Sequence, residues 1–259
     1  MTEALQTLAP LAAGTRALVL GLGRTGLSAA RYLDRRGLSV RVADTRVNPP
    51  GVDLLRADVP AAELRTGAFS SSLLDDVAQV VISPGLSLQE PIVRTARERG
   101  CPVVGDIELF AREAPAPIAA ITGTNGKSTV TTLVAEIANA SGRRAVAGGN
   151  LGEPALDLLA RPTPDLYVLE LSSFQLETTH SLRTVTSTVL NVTPDHMDRY
   201  ASLEAYGAAK ARIFDGCDVA VINADDPAVR GMPRPGQSVV SFSLESHDAD
   251  YTLERSPAP

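Results

Sequence analysis

The chain alternates between short runs of apolar residues and longer segments in which apolar residues recur every three or four positions. Short apolar runs bounded by turn residues are typical of buried strands, and the longer spacing is typical of helices. Strands alternating with helices favour an α/β fold with mostly parallel sheets. The predicted strands are 16–20, 38–43, 79–83, 102–104, 118–121, 144–147, 166–170, 184–190, 218–222 and 238–242. The predicted helices lie between residue 26 and Gly37, at 91–100, at 106–112, from Lys127 with an apolar repeat through Leu133, Val134 and Ile137, and at 202–214.

Two segments interrupt this alternation. Residues 48–68 follow neither period, and we assign no element to them. Residues 113–117 place two prolines between a predicted helix and the next strand, which is typical of a linker. We therefore predict a Rossmann-like domain at residues 1–112 and a P-loop-type, mostly parallel α/β domain at residues 113–259.

A first glycine-rich loop, Gly21-Leu-Gly-Arg-Thr-Gly26, joins the first predicted strand to the first predicted helix, and Asp44 follows the second strand. This pattern outlines a dinucleotide-binding unit, because glycines let backbone N–H groups approach phosphate. The same glycines also fit close packing of a helix on a strand without any ligand, so both interpretations stay open. Ser83 to Leu86 forms a candidate wall of the site, since ligands bind at the carboxyl ends of parallel strands.

A second loop, Thr122-Gly-Thr-Asn-Gly126, lies between a predicted strand and the helix that opens with Lys127-Ser128. Glycine N–H groups, a helix N-terminus, a lysine and a hydroxyl together suit nucleotide phosphates and Mg²⁺. The match is to a short variant of the P-loop, because Ile121 lies where the usual pattern has a glycine. The alternative is a glycine turn at a helix start with a solvated lysine.

Polar residues follow several predicted strands, and such residues gather at one edge of a parallel sheet. Glu170 ends a buried strand, His196 lies in the segment after the next strand, and Lys210 lies on the following helix. Together with Lys127 and Ser128 they could surround ATP and Mg²⁺, which prefers oxygen ligands. From the residues alone each has an ordinary alternative: an exposed acid, a hydrogen-bonded histidine and a solvated lysine.

Composition argues against several classes of function. A net charge of −6 without a dense Lys/Arg run disfavours nucleic-acid binding. No apolar stretch is long enough to cross a membrane, and Met1–Leu5 lacks the basic start of a signal peptide. Cys101 and Cys217 lie far apart and outside any CxxC spacing, so we expect buried free thiols and a cytoplasmic protein.

Four motifs resemble the Mur ligase family. They are Gly123-Thr-Asn-Gly-Lys-Ser-Thr129, Gly148-Gly-Asn-Leu-Gly152, Glu170-Leu-Ser-Ser-Phe-Gln-Leu-Glu177 and Asn191-Val-Thr-Pro-Asp-His-Met-Asp-Arg-Tyr200. Four further stretches are similar to the member of that family that adds D-glutamate, namely Gly21-Leu-Gly-Arg-Thr-Gly26, Asp44-Thr-Arg46, Ser83-Pro-Gly85 and Gly105-Asp-Ile-Glu-Leu-Phe110. The resemblance runs in order from about Leu18 to Phe242.

The resemblance implies that the first domain binds a UDP-sugar and not NAD. It assigns to this substrate Arg24, Thr25 and Gly26 at the diphosphate, Thr45 and Arg46 at the uracil, and also Ser83 and Asn150. It assigns to the ATP phosphates Gly123, Thr124, Asn125, Gly126, Lys127, Ser128 and Thr129.

The resemblance also implies two Mg²⁺ ions and a set of catalytic residues. The metal residues would be Ser128, Glu170, His196 and Lys210, and the catalytic residues Lys127, Glu170, His196 and Lys210. Lys210 matches the lysine that the family carbamylates, which converts a cation into a carboxylate-like anion beside the second ion.

The implied activity is a two-step, ATP-dependent amide ligation in peptidoglycan precursor synthesis, and so in cell-wall biogenesis, cell shape and division. The carboxylate of UDP-N-acetylmuramoyl-L-alanine would attack ATP to give an acyl phosphate and ADP, and D-glutamate would then displace phosphate. The family has a third, amino-acid-binding domain, and the chain ends before the second should be complete. We therefore expect this chain alone to bind UDP-sugar and, weakly, nucleotide, without forming the amide. We also expect a monomer.

Three alternatives stay open. An L-alanine-adding ligase of the same family would share the phosphate loop and the lysine. An NAD-dependent oxidoreductase would use the first glycine loop, but it would leave Lys127, Glu170 and Lys210 without a role. A non-catalytic nucleotide-binding fragment is the third.

Overall fold

A computed structural model describes residues 11–253, so Met1–Leu5 and the last residues of the predicted second domain lie outside the described residues. The strands are β1 Arg16–Leu20, β2 Ser39–Asp44, β3 Glu63–Thr66, β4 Val77–Ile82, β5 Val103–Val104, β6 Ile118–Thr122, β7 Ala145–Gly149, β8 Leu166–Glu170, β9 Thr184–Val189, β10 Cys217–Asn223, β11 Ser238–Ser243 and β12 Tyr251–Thr252. The α-helices are α1 Arg24–Arg35, α2 Val52–Asp58, α3 Pro91–Glu98, α4 Asp106–Ala111, α5 Lys127–Ala140, α6 Ala155–Leu158, α7 Ser173–Leu176, α8 Leu203–Ala211 and α9 Pro227–Arg230.

These elements form two compact units, each with its own sheet. The first unit comprises the described residues up to Glu113 together with Pro154–Arg161 and Thr178–Ser181. The second comprises Ala114–Glu153, Pro162–Glu177 and the rest of the described chain from Leu182. The predicted α/β class with parallel sheets is confirmed, because every strand pair in both sheets is parallel within residues 11–253.

The sheet of the first unit has the strand order β3-β2-β1-β4-β5. Its centre is β1, in which residues 17–20 are fully buried, and α1 packs against it through Leu27, Ala30 and Leu33. Strand β1 pairs with β2 on one side and with β4 on the other. Such a switch point opens a crevice at the carboxyl ends of the strands, where ligands bind.

The sheet of the second unit has the order β12-β11-β10-β9-β6-β8-β7. Its interior strand β6 is buried along its whole length, and β8 and β9 flank it in the sheet. The segment after β6 therefore begins at a second switch point. Among residues 11–253, no helix is long and apolar enough to cross a membrane.

Part of the apolar repeat that predicts α5 does not pack on the sheet. Leu133 and Ile137 are 55% and 60% exposed, whereas Thr131 and Ala135 are the buried residues of the helix. Small side chains let the helix approach the sheet closely, and Ala135 packs beside Ile121 in the core of this unit, with Val134 partly buried against the same core. Leu133 and Ile137 consequently lie on an exposed face of the helix.

Several short elements escaped sequence analysis. Residues 48–68, which we left unassigned, contain α2 and β3, and α6, α9 and β12 were also not predicted. Elements of two to seven residues are too short to show two full periods of a helical or strand pattern. Their presence depends on contacts that the local sequence does not display.

The last glycine of the first loop offers a test of how tightly α1 docks on β1. A Cβ atom at Gly26 would lie 1.9 Å from the carbonyl oxygen of Gly21, whereas a Cβ at Gly23 would meet nothing within 4 Å. Gly26→Ala should therefore lower the free energy of unfolding by about 1 to 3 kcal/mol, as overpacking does. Gly23→Ala, in the same loop, should cost less than about 1 kcal/mol. Urea titration measures both, and equal losses would contradict this packing.

Candidate active site

The second glycine loop leaves a row of backbone donors at the start of α5. Gly126 is the N-cap of α5 with φ +81°, and Gly123 has φ +155°, two conformations that favour glycine. The N–H groups of residues 126–129 donate to no protein acceptor within the part of the chain that the structure describes. Unpaired donors at the positive end of a helix dipole are suited to an anion.

Two lysines lie against the carbonyl oxygens of this loop. Lys127 Nζ donates to the oxygen of Thr124 and Lys210 Nζ to the oxygen of Gly123, each at 2.8 Å. The alternative of a solvated Lys210 is wrong, because this side chain is 1% exposed and lies 4.4 Å from the ring of Tyr206. Burial, reinforced by the charge of Lys127 and opposed by Asp195, lowers the pKa of Lys210 to about 7.

These are the only lysines in the sequence. Twenty-two arginines supply the remaining basic side chains, as the total of 24 Lys and Arg less the two lysines shows. Arginine stays charged in any protein site, whereas lysine is a compact point charge that can lose its proton when it is buried. The only two lysines of the sequence therefore both donate to the second glycine loop.

Glu170 forms the acidic part of the site. It ends β8 and is 2% exposed, so the alternative of an exposed acid at a strand end is wrong. Its carboxylate accepts a hydrogen bond from Ser128 Oγ at 2.7 Å and another from Asn150 Nδ2 at 2.6 Å. Gly149 permits this approach, because a Cβ there would lie 2.5 Å from the carbonyl oxygen of Glu170.

His196 lies on an aromatic cluster, in the loop between β9 and α8. It is exposed, has φ +54°, and its ring centroid lies 4.8 Å from that of Phe174 and 6.0 Å from that of Tyr206. Tyr206 contacts Lys210 as well, so one ring connects the predicted histidine with the predicted lysine. Asp195 Oδ2 lies 3.5 Å from His196 Nε2.

Glu177, the last residue of the motif that begins at Glu170, contacts an arginine. Glu177 Oε2 lies 3.5 Å from Arg199, whose guanidinium in turn lies 4.3 Å from the ring centroid of Phe174. Burial raises the pKa of Glu177, against the opposing charge of Arg199. Glu170 is therefore the better metal ligand of the two.

The donor set of the second unit fits Mg²⁺. No group of three or more His, Cys, Asp and Glu residues that could hold a metal occurs within residues 11–253. Mg²⁺ does not need such a group, because it is usually held by one or two carboxylates, phosphate oxygens and water. The buried carboxylate of Glu170 and the hydroxyl of Ser128 supply oxygen at the start of α5.

In the first unit, the carboxylate of Asp44 is fully engaged by protein donors. It accepts from the backbone N–H of Leu22 at 2.7 Å, the backbone N–H of Arg46 at 2.9 Å, and the guanidinium of Arg46 at 2.8 and 2.6 Å. Hydrogen bonds from Arg46 hold the pKa of Asp44 at about 2. In a dinucleotide site this acid would bind the ribose hydroxyls, so the arrangement disfavours the oxidoreductase alternative.

The other substrate residues predicted for the first unit lie in or near the first glycine loop, residues 21–26, or after β2. Arg24 and Thr25 begin α1, Thr45 lies exposed after β2, and Ser83 Oγ donates to the oxygen of Gly21 at 3.2 Å. Asn150 is the exception. It belongs to the second unit, and its amide contacts Glu170.

Two family models cover most of the chain. Residues 15–105 match the Mur ligase MurD-like N-terminal domain, and residues 121–257 match the Mur ligase middle domain. The chain belongs to the Mur ligase family. The predicted resemblance is thereby confirmed, and the two matched regions correspond to sequence on either side of the proline-rich segment at residues 113–117.

Several curated relatives of this Mur ligase share the name UDP-N-acetylmuramoylalanine–D-glutamate ligase. The protein from Nitrosococcus oceani is 54% identical over 239 residues, which cover 92% of this chain and 52% of the relative. Those from Methylobacillus flagellatus and Pseudomonas putida are 52% and 51% identical over 231 residues, covering 88% and 89% of this chain. The chain spans about half the length of each of these relatives.

Solved structures support the fold. UDP-N-acetylmuramate-alanine ligase MurC from Thermotoga maritima matches with a TM-score of 0.56 and 21% identity, over 93% of this chain and 54% of the other. A murein peptide ligase from Psychrobacter arcticus matches with a TM-score of 0.58 and 16% identity, over 95% and 57%.

Sequence reasoning missed three side chains that contact the predicted site residues of this Mur ligase. Tyr206 lies four residues before Lys210 on α8, a spacing that places two side chains on one helix face. Phe174 is part of the motif that begins at Glu170, and Asn191 lies two residues after β9 and contacts the second glycine loop. Helical spacing and position at a strand end are signals that could have identified Tyr206 and Asn191.

Asp44→Asn tests the closed carboxylate of the first unit. Because folding lowers the pKa of Asp44, its stabilising contribution is complete above about pH 4 and is lost as the pH falls towards 2. We expect the variant to lose about 1 to 2 kcal/mol of unfolding free energy at pH 7, with the difference from the wild type shrinking below pH 4. Urea titrations between pH 2.5 and 7 measure it.

Asp165→Asn is the matched control, because Asp165 pairs with Arg144 at the surface. Its effect should be the smaller of the two. A loss for Asp44→Asn that is independent of pH would contradict the assigned ion pair.

Proposed function

We propose that this Mur ligase adds D-glutamate to UDP-N-acetylmuramoyl-L-alanine in an ATP-dependent amide ligation of peptidoglycan precursor synthesis. The observation that carries the proposal is the convergence of the phosphate loop, the buried Glu170 and the buried Lys210 in a chain that is 54% identical to a relative of that name. The predicted cytoplasmic location and monomeric state remain expectations.

The first unit would bind the UDP-sugar at the carboxyl end of β1. Glycine N–H groups and the start of α1, with Arg24 and Thr25, suit a diphosphate. The Asp44–Arg46 pair supports this assignment, because it leaves a positioned guanidinium beside the site and no free carboxylate for an NAD ribose. Ser83 would contribute to the wall of the same site.

The second unit would bind ATP and Mg²⁺, which Mur ligases use in general. The N–H groups from Gly126 to Thr129 and the ammonium of Lys127 would hold the phosphates, and Ser128 and Glu170 would hold the ion. Mg²⁺ when bound would neutralise charge that develops on the phosphate oxygens.

Chemistry then proceeds by two displacements. The substrate carboxylate oxygen forms a bond to the γ-phosphorus, and the bond from that phosphorus to the ADP oxygen breaks. The D-glutamate amine attacks the acyl carbon, the acyl–oxygen bond to phosphate breaks, and the amine gives up a proton. The chain's contribution would be positioning and charge neutralisation, since the loop donors and Lys127 are in place before the reaction.

We further propose that Lys210 is carbamylated and helps to hold a second Mg²⁺ with His196. Attack of a neutral amine on CO₂ forms an N–C bond and releases one proton. The buried site, which lowers the pKa of Lys210 to about 7, favours that neutral amine at physiological pH. A carbamate would place negative charge where an ammonium would repel a cation.

Isothermal titration with UDP-N-acetylmuramoyl-L-alanine tests the substrate. We expect saturable binding that weakens at least about tenfold in Arg46→Ala, because a charged hydrogen bond to the nucleotide is lost. Arg65→Ala is the control, since Arg65 is an exposed arginine that pairs with Glu63, and both residues lie on β3. Parallel titrations use NADH and UDP-N-acetylmuramate. Tighter binding of NADH would overturn the first-unit assignment, and tighter binding of UDP-N-acetylmuramate would favour an L-alanine-adding ligase.

Carbon-13 NMR in the presence of ¹³C-bicarbonate tests the modification. The sequence offers only Lys127, Lys210 and the terminal amine as sites. We expect one carbamate signal that persists in Lys127→Arg and disappears in Lys210→Arg, because Lys210 is buried and its pKa is lowered to about 7. A signal that survives in Lys210→Arg would contradict the assignment to this residue.

A further inference from the structure

Residues 191–193, which follow β9, hold the backbone of the phosphate loop. Asn191 Oδ1 accepts hydrogen bonds from the N–H groups of Thr124 and Asn125, at 3.1 and 2.8 Å. Asn191 Nδ2 donates to the carbonyl oxygen of Asn125 at 3.1 Å. One side-chain amide therefore engages the backbone of two consecutive loop residues through both of its polar atoms.

Thr193 holds the side chains of the same two loop residues. Its N–H donates to Thr124 Oγ1 at 3.0 Å, and its carbonyl oxygen accepts from that hydroxyl at 3.2 Å. Asn125 Nδ2 donates to Thr193 Oγ1 at 3.3 Å. Thr124 and Asn125 consequently direct their side chains at residues 191–193 and not at a ligand.

The first half of the loop thus has every backbone carbonyl committed. The oxygen of Gly123 accepts from Lys210, that of Thr124 from Lys127 and that of Asn125 from Asn191. The two N–H groups of Thr124 and Asn125 are committed as well. Since buried polar backbone groups are normally paired, this arrangement defines one loop conformation.

The second half of the loop is the opposite case. The N–H groups from Gly126 to Thr129 have no protein acceptor among residues 11–253. A phosphate could therefore bind at these four N–H groups without breaking a protein hydrogen bond. Binding at the N–H of Thr124 or Asn125 would require Asn191 to release them.

We propose that Asn191 is a positioning residue for nucleotide binding, whose amide separates the loop into a clamped half and a phosphate-binding half. By fixing the peptides of Thr124 and Asn125 it aims the N–H groups of Gly126 to Thr129 at one point. Preorganised donors bind an anion without the cost of ordering the loop. This inference rests on the proposed nucleotide site and assigns a role to a residue that does not itself touch nucleotide.

Backbone amide hydrogen exchange in the ligand-free protein tests the clamp directly. In Asn191→Ala we expect exchange at Asn125 to accelerate at least about tenfold, because its acceptor is removed. The N–H of Thr124 should stay protected, because it also donates to the backbone carbonyl oxygen of Asn191 at 3.0 Å, which the variant keeps. Asn191→Asp keeps an acceptor oxygen, so we expect it to retain most of the protection. Asn223→Ala is the matched control: Asn223 ends the neighbouring strand β10 and donates to Leu190, without contacting the loop.

Titration with MgATP tests the consequence. We expect Asn191→Ala to bind MgATP about tenfold or more weakly than the wild type and Asn223→Ala to bind it like the wild type. Unchanged exchange at Asn125 in Asn191→Ala would overturn the clamp. Faster exchange with unchanged MgATP affinity would overturn the positioning role.

The proposed function has a separate failure. A wild-type chain that binds no MgATP would remove the nucleotide site itself and the positioning role with it. A wild type and an Asn191→Ala variant that bind MgATP equally well would leave the nucleotide site intact and reject only the role of Asn191. Because Asn191→Asp is expected to fold with the clamp's acceptor present, its exchange pattern also separates loss of this contact from loss of the fold.

Discussion

The carboxyl end of β6 imposes the constraint on which the second unit depends. Beyond the end of an interior strand, the neighbouring strands no longer pair with the backbone N–H and C=O groups. Each of these groups needs another partner. Lys210, Lys127 and Asn191 supply partners to the three loop residues that follow, and α5 then begins with donors that remain open. The hydrogen bonds that stabilise the turn therefore leave the N–H groups at the start of α5 open to an anion.

Few charged side chains surround that site. Both lysines of the sequence donate to carbonyl oxygens of the loop, and the buried carboxylate of Glu170 accepts a hydrogen bond from Ser128 at the start of α5. Burial beside a second cation disfavours the charged form of Lys210. The first unit solves a similar problem differently, because Asp44 is neutralised by Arg46 and by backbone N–H groups and is closed to a ribose.

Sequence reasoning succeeded where order along the chain determines position in space. The predicted strand, glycine loop and Lys-Ser helix start occur in that order, and β8 has the predicted bounds. Burial was harder to predict. Glu170 and Lys210 have ordinary exposed alternatives in sequence. In the structure they contact Asn150, from another part of the unit, and Tyr206, from the preceding turn of the same helix. The apolar repeat of α5 did not identify its buried residues, because Thr131 and Ala135, not the larger Leu133, allow close approach to the sheet.

A crystal structure of the chain with a non-hydrolysable ATP analogue and Mn²⁺ is the most direct test of this account. It predicts phosphate oxygens at the N–H groups of residues 126–129, with Thr124 and Asn125 still bonded to Asn191, and an anomalous Mn²⁺ peak between Ser128 and Glu170. Phosphates bound at the loop of residues 21–26, or no metal peak at Glu170, would contradict the assignment of the second unit as the nucleotide and metal site.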